Sequence, residues 1–188
     1  LKTQKQILLI MLIVSFSTFF GLSIATLFPA WAVKVLHGDA TTNGLLQASR
    51  GVGAVLCSLA IASFGRHLAR GKVLIVGLVS LPIFMILFSI NSSFIISSLI
   101  LVGIGAGIIA VNNLSNGLTQ TLVSEEFRGR VMGVYSFSFF GFMPIGALWI
   151  GMLAEQFGSP RAILINAVIL LLIYVALNMR YSLLRIIK

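Results

Sequence analysis

The stretch that decides the fold is FIISSLILVGIGAGIIAVNNLSNGLTQTLV, residues 94–123. It contains no charged residue from end to end. The hydrocarbon core of a bilayer requires about 20 consecutive apolar residues in a helix. The stretch therefore predicts a membrane-spanning helix that carries a polar segment, Asn112–Gln120, near its C-terminal end.

The rest of the chain repeats this pattern of long apolar runs. Charged residues make up only 9% of the 188 residues, compared with about a quarter in soluble domains. We predict an all-α integral membrane protein, a single six-helix bundle over residues 1–188, arranged as the 3+3 inverted repeats that many transporter halves use. The six predicted spans are Ile7–Ala32, Leu45–Phe64, Val73–Ile90, Phe94–Val123, Val131–Ala154 and Ala162–Met179.

Basic residues are distributed unequally between the two sides of this bundle. Only Lys34 and Arg161 fall on one side. Because basic loops stay on the cytoplasmic side of a membrane, both termini are predicted to be cytoplasmic. The net charge of +9 then reflects orientation in the membrane, and no nucleic-acid partner is expected. The basic residues of the other side are Lys2, Lys5, Arg66, Arg70, Lys72, Arg128, Arg130, Arg180, Arg185 and Lys188.

The polar segment of the fourth run is the first candidate for a binding site. On an ideal helix, at about 100° per residue, its polar side chains share an arc of roughly 160°. Amides are costly in hydrocarbon, so this face must meet water, a ligand or another helix. We predict that it lines a substrate cavity, and packing through interhelical hydrogen bonds is the alternative. The six residues are Asn112, Asn113, Ser115, Asn116, Thr119 and Gln120.

Arg50 is the one charged residue well inside a predicted span, and Gln47 lies one turn before it on the same face. An ionised residue within a membrane helix indicates a functional site, so both residues are predicted to line the cavity. The alternative is a side chain that extends to the outer headgroups, because Arg50 would lie about 8 Å below the outer edge at a rise of ~1.5 Å per residue. Asp39 in the outer loop is its nearest candidate counter-ion in the sequence.

Charged residues at the inner surface form a second candidate set. Opposite charges at helix ends can lock and release a cytoplasmic gate, whereas charge that only fixes the orientation is the alternative. All four acidic residues fall in loops or at span ends, so this chain offers no membrane-buried carboxylate for proton coupling. The predicted gate residues are Arg66, Arg70, Lys72, Glu125, Glu126, Arg128 and Arg130.

Other motifs indicate packing rather than chemistry. Gly103-x-x-x-Gly107 predicts a close helix contact, and the prolines within or near the spans predict kinks or helix ends. His37 and His67 fall on opposite sides of the membrane, and no nucleophile or zinc-protease motif is present. Neither catalysis nor a metal or cofactor is therefore predicted. The prolines in question are Pro29, Pro82 and Pro144.

Two segments carry a family resemblance. FRGRVMGVYSFSFFGFMPIGALWIGMLAEQFG, Phe127–Gly158, resembles the eleventh helix of major facilitator superfamily transporters, with its Arg-Gly-Arg-Val start and its Pro-x-Gly. SFGRHLARGKVLIVG, Ser63–Gly77, resembles the signature between the second and third helices of each half, although His67 and Leu68 stand where the family carries Asp. The branch that it resembles most contains drug and siderophore exporters related to the enterobactin exporter.

The resemblance implies a twelve-helix carrier in a bacterial cytoplasmic membrane, with its substrate between two six-helix bundles. This chain, which begins at Leu1 rather than Met, would be the C-terminal bundle, and its first and fourth spans would line the cavity. We therefore predict a secondary active exporter that works by alternating access. The implied partners are the lipid bilayer, an N-terminal bundle, a small-molecule substrate and, for the isolated half, a second copy.

Two other interpretations remain open at this point. A complete six-helix membrane component of an importer would have a similar length and would bind its substrate alone. An intramembrane enzyme of rhomboid type would also have six helices, but it would need a nucleophile and a histidine that can meet, which this sequence does not place together.

Overall fold

The structure is a computed structural model that describes residues 2–64 and 70–181. Six helical stretches in this part of the chain are long and apolar enough to cross a membrane, and the prediction of an all-α six-span bundle is confirmed. The helices are α1 (Lys2–Phe16), α2 (Phe28–Lys34), α3 (Ala40–Phe64), α4 (Arg70–Ser89), α5 (Phe94–Leu122), α6 (Glu125–Phe140), α7 (Phe142–Phe157) and α8 (Ser159–Tyr181).

The spans combine these helices in chain order. Span one contains α1, a π-helical turn (Ser17–Gly21), a 3-10 segment (Leu22–Leu27) and α2. Spans two, three and four are α3, α4 and α5. Span five contains α6 and α7, and span six is α8.

Spans two and five begin at least five residues earlier than predicted, because polar residues start their helices. Span two begins at Ala40 rather than Leu45, where Asp39 accepts a hydrogen bond from the Thr42 amide at 2.9 Å and so caps the first turn. Span five begins at Glu125 rather than Val131, with Glu125 and Glu126 in its first turn. Acidic side chains are stabilising there, since the helix dipole is positive at its N-terminus.

Glycine contacts bring span four close to two neighbours. A Cβ atom on Gly105 would overlap the Arg50 carbonyl of span two, and Gly53 of span two lies equally close to the Val102 carbonyl. Gly103 and Gly107 instead face Phe84 and Leu81 of span three. The Gly103-x-x-x-Gly107 motif therefore marks a packing face, as small residues in membrane helices do.

Proline accounts for two of the irregularities in the spans. Pro29 lies just after the 3-10 segment of span one, and Pro144 lies just after the break at Gly141 in span five. A proline ring displaces the carbonyl four residues earlier and removes one helical hydrogen bond. Pro82, by contrast, is buried within α4, which continues through it.

A buried polar network joins span one to spans five and six at the π-helical turn. Asn166, which is fully buried, donates from Nδ2 to the Phe20 carbonyl at 3.2 Å and accepts from Trp149 Nε1 at 3.1 Å. Nearby, the hydroxyls of Ser17 and Tyr174 share a hydrogen bond of 2.5 Å. Within the π-helical turn, the Phe20 carbonyl is thus satisfied by the side chain of Asn166 rather than by a helical hydrogen bond alone.

Candidate functional site

An open cavity of about 340 Å³ lies between spans one, two, four and five. We call it the Arg50 cavity. Its walls are mostly apolar, with a guanidinium and two amides as the polar side chains, which is the usual composition of a small-molecule site. The lining residues are Leu22, Arg50, Gly51, Ala54, Gly105, Ile108, Ile109, Asn112, Asn113 and Phe139.

A second open cavity, of about 240 Å³, lies beside it between spans four and five. We call it the Tyr135 cavity. It shares Asn112, Asn113 and Phe139 with the Arg50 cavity, so the two form one continuous groove along α5. The remaining lining residues are Asn116, Tyr135, Ser136 and Phe140.

Asn112 occupies the junction between the two cavities. Its side-chain Nδ2 donates to the Ile108 backbone carbonyl at 2.9 Å, and its backbone carbonyl accepts a hydrogen bond from the Tyr135 hydroxyl at 2.9 Å. Its Oδ1 is buried and has no hydrogen-bond partner among the described residues. Asn113, one position on, has an exposed side chain. The exposed amide of Asn113 can therefore bond to a ligand or to water, whereas Asn112 Oδ1 is enclosed by protein atoms.

The predicted polar stripe divides into two parts. Asn112, Asn113 and Asn116 line the groove, and Gln120 is exposed and donates from Nε2 to Asn116 Oδ1 at 2.5 Å. A different environment surrounds Ser115 and Thr119, which are fully buried within the bundle and line neither cavity.

Thr119 can occupy the buried edge of the arc for a local reason, whereas the buried Ser115 Oγ has no hydrogen-bond partner among the described residues. Thr119 Oγ1 donates to the Ser115 carbonyl of its own helix at 2.8 Å. Such a bond to the preceding turn removes the need for water or a ligand. An amide has more polar atoms to satisfy than a hydroxyl has, which keeps the asparagines on the open side.

Arg50 lies well inside α3, which begins at Ala40. It is about 15 Å from the N-terminal end of that helix at a rise of ~1.5 Å per residue. Its guanidinium carbon is 5.7 Å from the centroid of the buried Phe28 ring, within the range of a cation–π contact. Gln47 is half-buried but lines neither cavity.

Asp39 does not serve as the counter-ion of Arg50. Its carboxylate accepts hydrogen bonds from the amide and the hydroxyl of Thr42, at 2.9 and 3.1 Å. These bonds, led by that from the amide, hold the pKa of Asp39 below its usual value. Asp39 is thus the N-cap of span two, and in the part of the chain that the structure describes no carboxylate pairs with Arg50.

The predicted gate residues form one contact between them among the described residues. Arg128 Nη1 lies 3.8 Å from Glu125 Oε1, one turn apart on the same helix and with both side chains well exposed. Exposed pairs of this kind contribute little stability. Lys72, Glu126 and Arg130 are exposed, while Arg66 lies outside the described residues, as does the side chain of Arg70.

Aromatic members of the groove were missed from the sequence. Tyr135 and Phe139 are one turn apart on α6 and face the groove together, and Phe28 lies behind Arg50. The spacing of four residues between Tyr135 and Phe139 could have predicted that they share one face of span five, because positions i and i+4 lie on the same side of a helix.

Comparison with known families identifies the chain. A family model described as transmembrane secretion effector, within the major facilitator superfamily, matches residues 2–186. The chain belongs to this family. It is a multi-pass membrane transporter of the major facilitator kind, and the resemblance to that superfamily is confirmed. A comparison with curated protein sequences gives no match.

Proposed function

We propose that this transporter exports small molecules by alternating access and that this chain is the C-terminal half of the carrier, in a bacterial cytoplasmic membrane. The observation that carries the proposal is the continuous groove formed by the Arg50 and Tyr135 cavities. The family description, a secretion effector, favours export over uptake and disfavours the importer component.

The chemistry of the groove suits an amphiphilic substrate. Ile108, Ile109 and Phe139 provide apolar walls, while Asn112 and Asn113 provide amide donors and acceptors. Apolar contact area supplies most of the binding free energy at such sites, and a few polar groups orient the ligand. The cavities, at about 340 and 240 Å³, match a small molecule rather than a protein.

The open side of the groove supports the half-carrier assignment. One bundle supplies only one wall, so the opposite wall must come from elsewhere for the substrate to be enclosed. Carriers of this superfamily are built from two six-helix bundles with the substrate site at their interface. Alternating access then requires that the second bundle rock against this one around the groove.

Dye efflux tests this proposal directly. Cells that express the complete transporter gene are loaded with Nile red, and the loss of fluorescence is followed after re-energisation. We expect saturable efflux, and Asn113→Leu should slow it about fivefold, because one hydrogen bond is worth about 1 kcal/mol. Asn178→Leu, the same change at an exposed position near the end of span six, should leave the rate unchanged. Efflux no faster than in cells without the gene would refute the proposal.

A further inference from the structure

Arg50 is a cation placed in the middle of the bundle. Its backbone packs against Gly105, which lies well inside α5 (Phe94–Leu122). Its side chain is half-buried and lines the Arg50 cavity. A charged side chain at this depth is costly unless it faces water or a partner of opposite charge.

No acidic residue of the chain supplies that opposite charge. The sequence contains four carboxylates, and each lies elsewhere. Asp39 caps span two, Glu125 pairs with Arg128, and Glu126 and Glu155 are exposed near helix ends. Among the described residues, the guanidinium has no hydrogen-bond acceptor either, and the contact recorded for it is the Phe28 ring.

Phe28 contacts the guanidinium and does not itself line the Arg50 cavity. The ring is fully buried, and its centroid lies 5.9 Å from that of Phe88, which stacks on Trp31 at 4.4 Å. This aromatic cluster is a rigid support, and an aromatic face attracts a cation without consuming its N–H donors. The donors of Arg50 therefore remain free to bond to a molecule in the cavity.

We propose that Arg50 binds an anionic group, a carboxylate or a group of similar geometry, on an otherwise apolar substrate of this transporter. The inference rests on the proposed export function and names its substrate class. The planar guanidinium binds such groups through two parallel hydrogen bonds. The apolar part of the substrate lies against Ile108, Ile109 and Phe139, and the amide of Asn113 contacts its edge.

Two matched aromatic probes test the charge preference. Anthracene-2-carboxylate and anthracene-2-carboxamide share a ring system and differ in charge, and their binding is measured by equilibrium dialysis with the purified transporter in nanodiscs of zwitterionic lipid. We expect the carboxylate to bind about tenfold more tightly, as one additional charge-assisted hydrogen bond provides. Arg50→Gln should abolish this preference, because carboxylate binding weakens to the level of carboxamide binding. Arg50→Lys should keep part of it, since the ammonium retains the charge without the planar fork.

A control variant and a lipid control complete the test. Arg161→Gln removes an exposed cation at the start of span six and should leave the preference intact. The same preference in nanodiscs that contain phosphatidylglycerol supports a soluble anion as the ligand, whereas its loss there would show that a lipid phosphate occupies Arg50 and would overturn the inference.

The outcomes separate this inference from the function on which it rests. Equal binding of both probes to the unmodified protein, or equal weakening of both by Arg50→Gln, would overturn the anion site and leave the transport proposal standing. Retention of the preference in Arg50→Gln would do the same. Binding of neither probe would overturn the anion site, and the dye-efflux measurement decides the proposed function separately.

Discussion

Gly105 packs directly against the carbonyl group of Arg50, with no room for a Cβ atom between them. A similar contact joins Gly53 to the Val102 carbonyl along the same helix pair. The position of Arg50 relative to Asn112 is therefore fixed by contact between two backbones. Close backbone approach of this kind is how membrane helices pack tightly without a hydrophobic driving force.

A methyl group at position 105 should separate spans two and four. We expect Gly105→Ala to destabilise the protein by about 1–3 kcal/mol, the usual cost of overpacking a tight contact. The measurement is the midpoint of unfolding in an SDS titration, followed by far-UV circular dichroism. Gly117→Ala, in the same helix but with no atom of a neighbouring helix within 4 Å of the added methyl, should be neutral or stabilising by up to about 1 kcal/mol. Equal midpoints for the two variants would show that the contact is not tight.

The two parts of the polar stripe should differ in their access to water. In a Cys57→Ala background, Asn113→Cys should react rapidly with a membrane-impermeant maleimide in purified transporter, because position 113 is exposed in the groove. Ser115→Cys should be protected, because position 115 is fully buried. Rapid reaction at position 115 and protection at 113 would place the groove on the other side of α5.

The orientation of the bundle is open to labelling in intact cells. We expect Thr41→Cys, in the first turn of span two, to react with an impermeant maleimide without permeabilisation, because the basic residues are concentrated at the opposite surface. Ser124→Cys, at the start of span five, should react only after permeabilisation. Both positions are exposed, so access is decided by the membrane alone. Reversed labelling would invert the proposed topology.

The cap formed by Asp39 should make the start of span two sensitive to acid. Hydrogen bonds from Thr42 lower the pKa of Asp39 from its ordinary value of 3.8, so the carboxylate stabilises the folded state above pH 3.8 and loses this effect as the pH falls through its lower folded-state value. Amide hydrogen exchange over residues 40–43 should accelerate in acid beyond the intrinsic change. Asp39→Asn, which caps without titrating, should not show the additional acceleration, and an identical pH dependence in both proteins would contradict the cap.

Much of the fold could be predicted because lipid imposes a simple rule. Every backbone group inside a bilayer must be bonded within its own segment, so a long apolar run has few alternatives to a helix. Arg50 and the Asn112 region were identified for the same reason, because polar groups are conspicuous against an apolar sequence. Aromatic residues such as Phe28 and Tyr135 do not stand out in an apolar sequence. Their positions next to Arg50 and in the groove depend on how the helices pack, which a hydropathy pattern does not show.

Two predictions show where proximity in the sequence is a poor guide to contacts in the structure: Asp39 as the counter-ion of Arg50, and the polar stripe of α5. Asp39 was the nearest acidic residue to Arg50, yet a bond to Thr42, three positions away, closes a small ring with little loss of entropy. Asn112 and Asn113 of the predicted arc lie at the groove. The arc could not show that Ser115 and Thr119 lie against neighbouring helices, since that depends on where those helices cross α5.

Span one loosens its winding over Ser17–Gly21 and tightens it over Leu22–Leu27. A π turn closes its hydrogen bonds over five residues and a 3-10 turn over three, so each shifts the angular phase of all that follows. Residues 28–34 consequently do not have the phase that a uniform count from Lys2 would assign. In a mutational scan of this span, the helix faces of α1 and of α2 must therefore be assigned separately. A single helical count through the whole span would assign Phe28 to a face that it does not occupy.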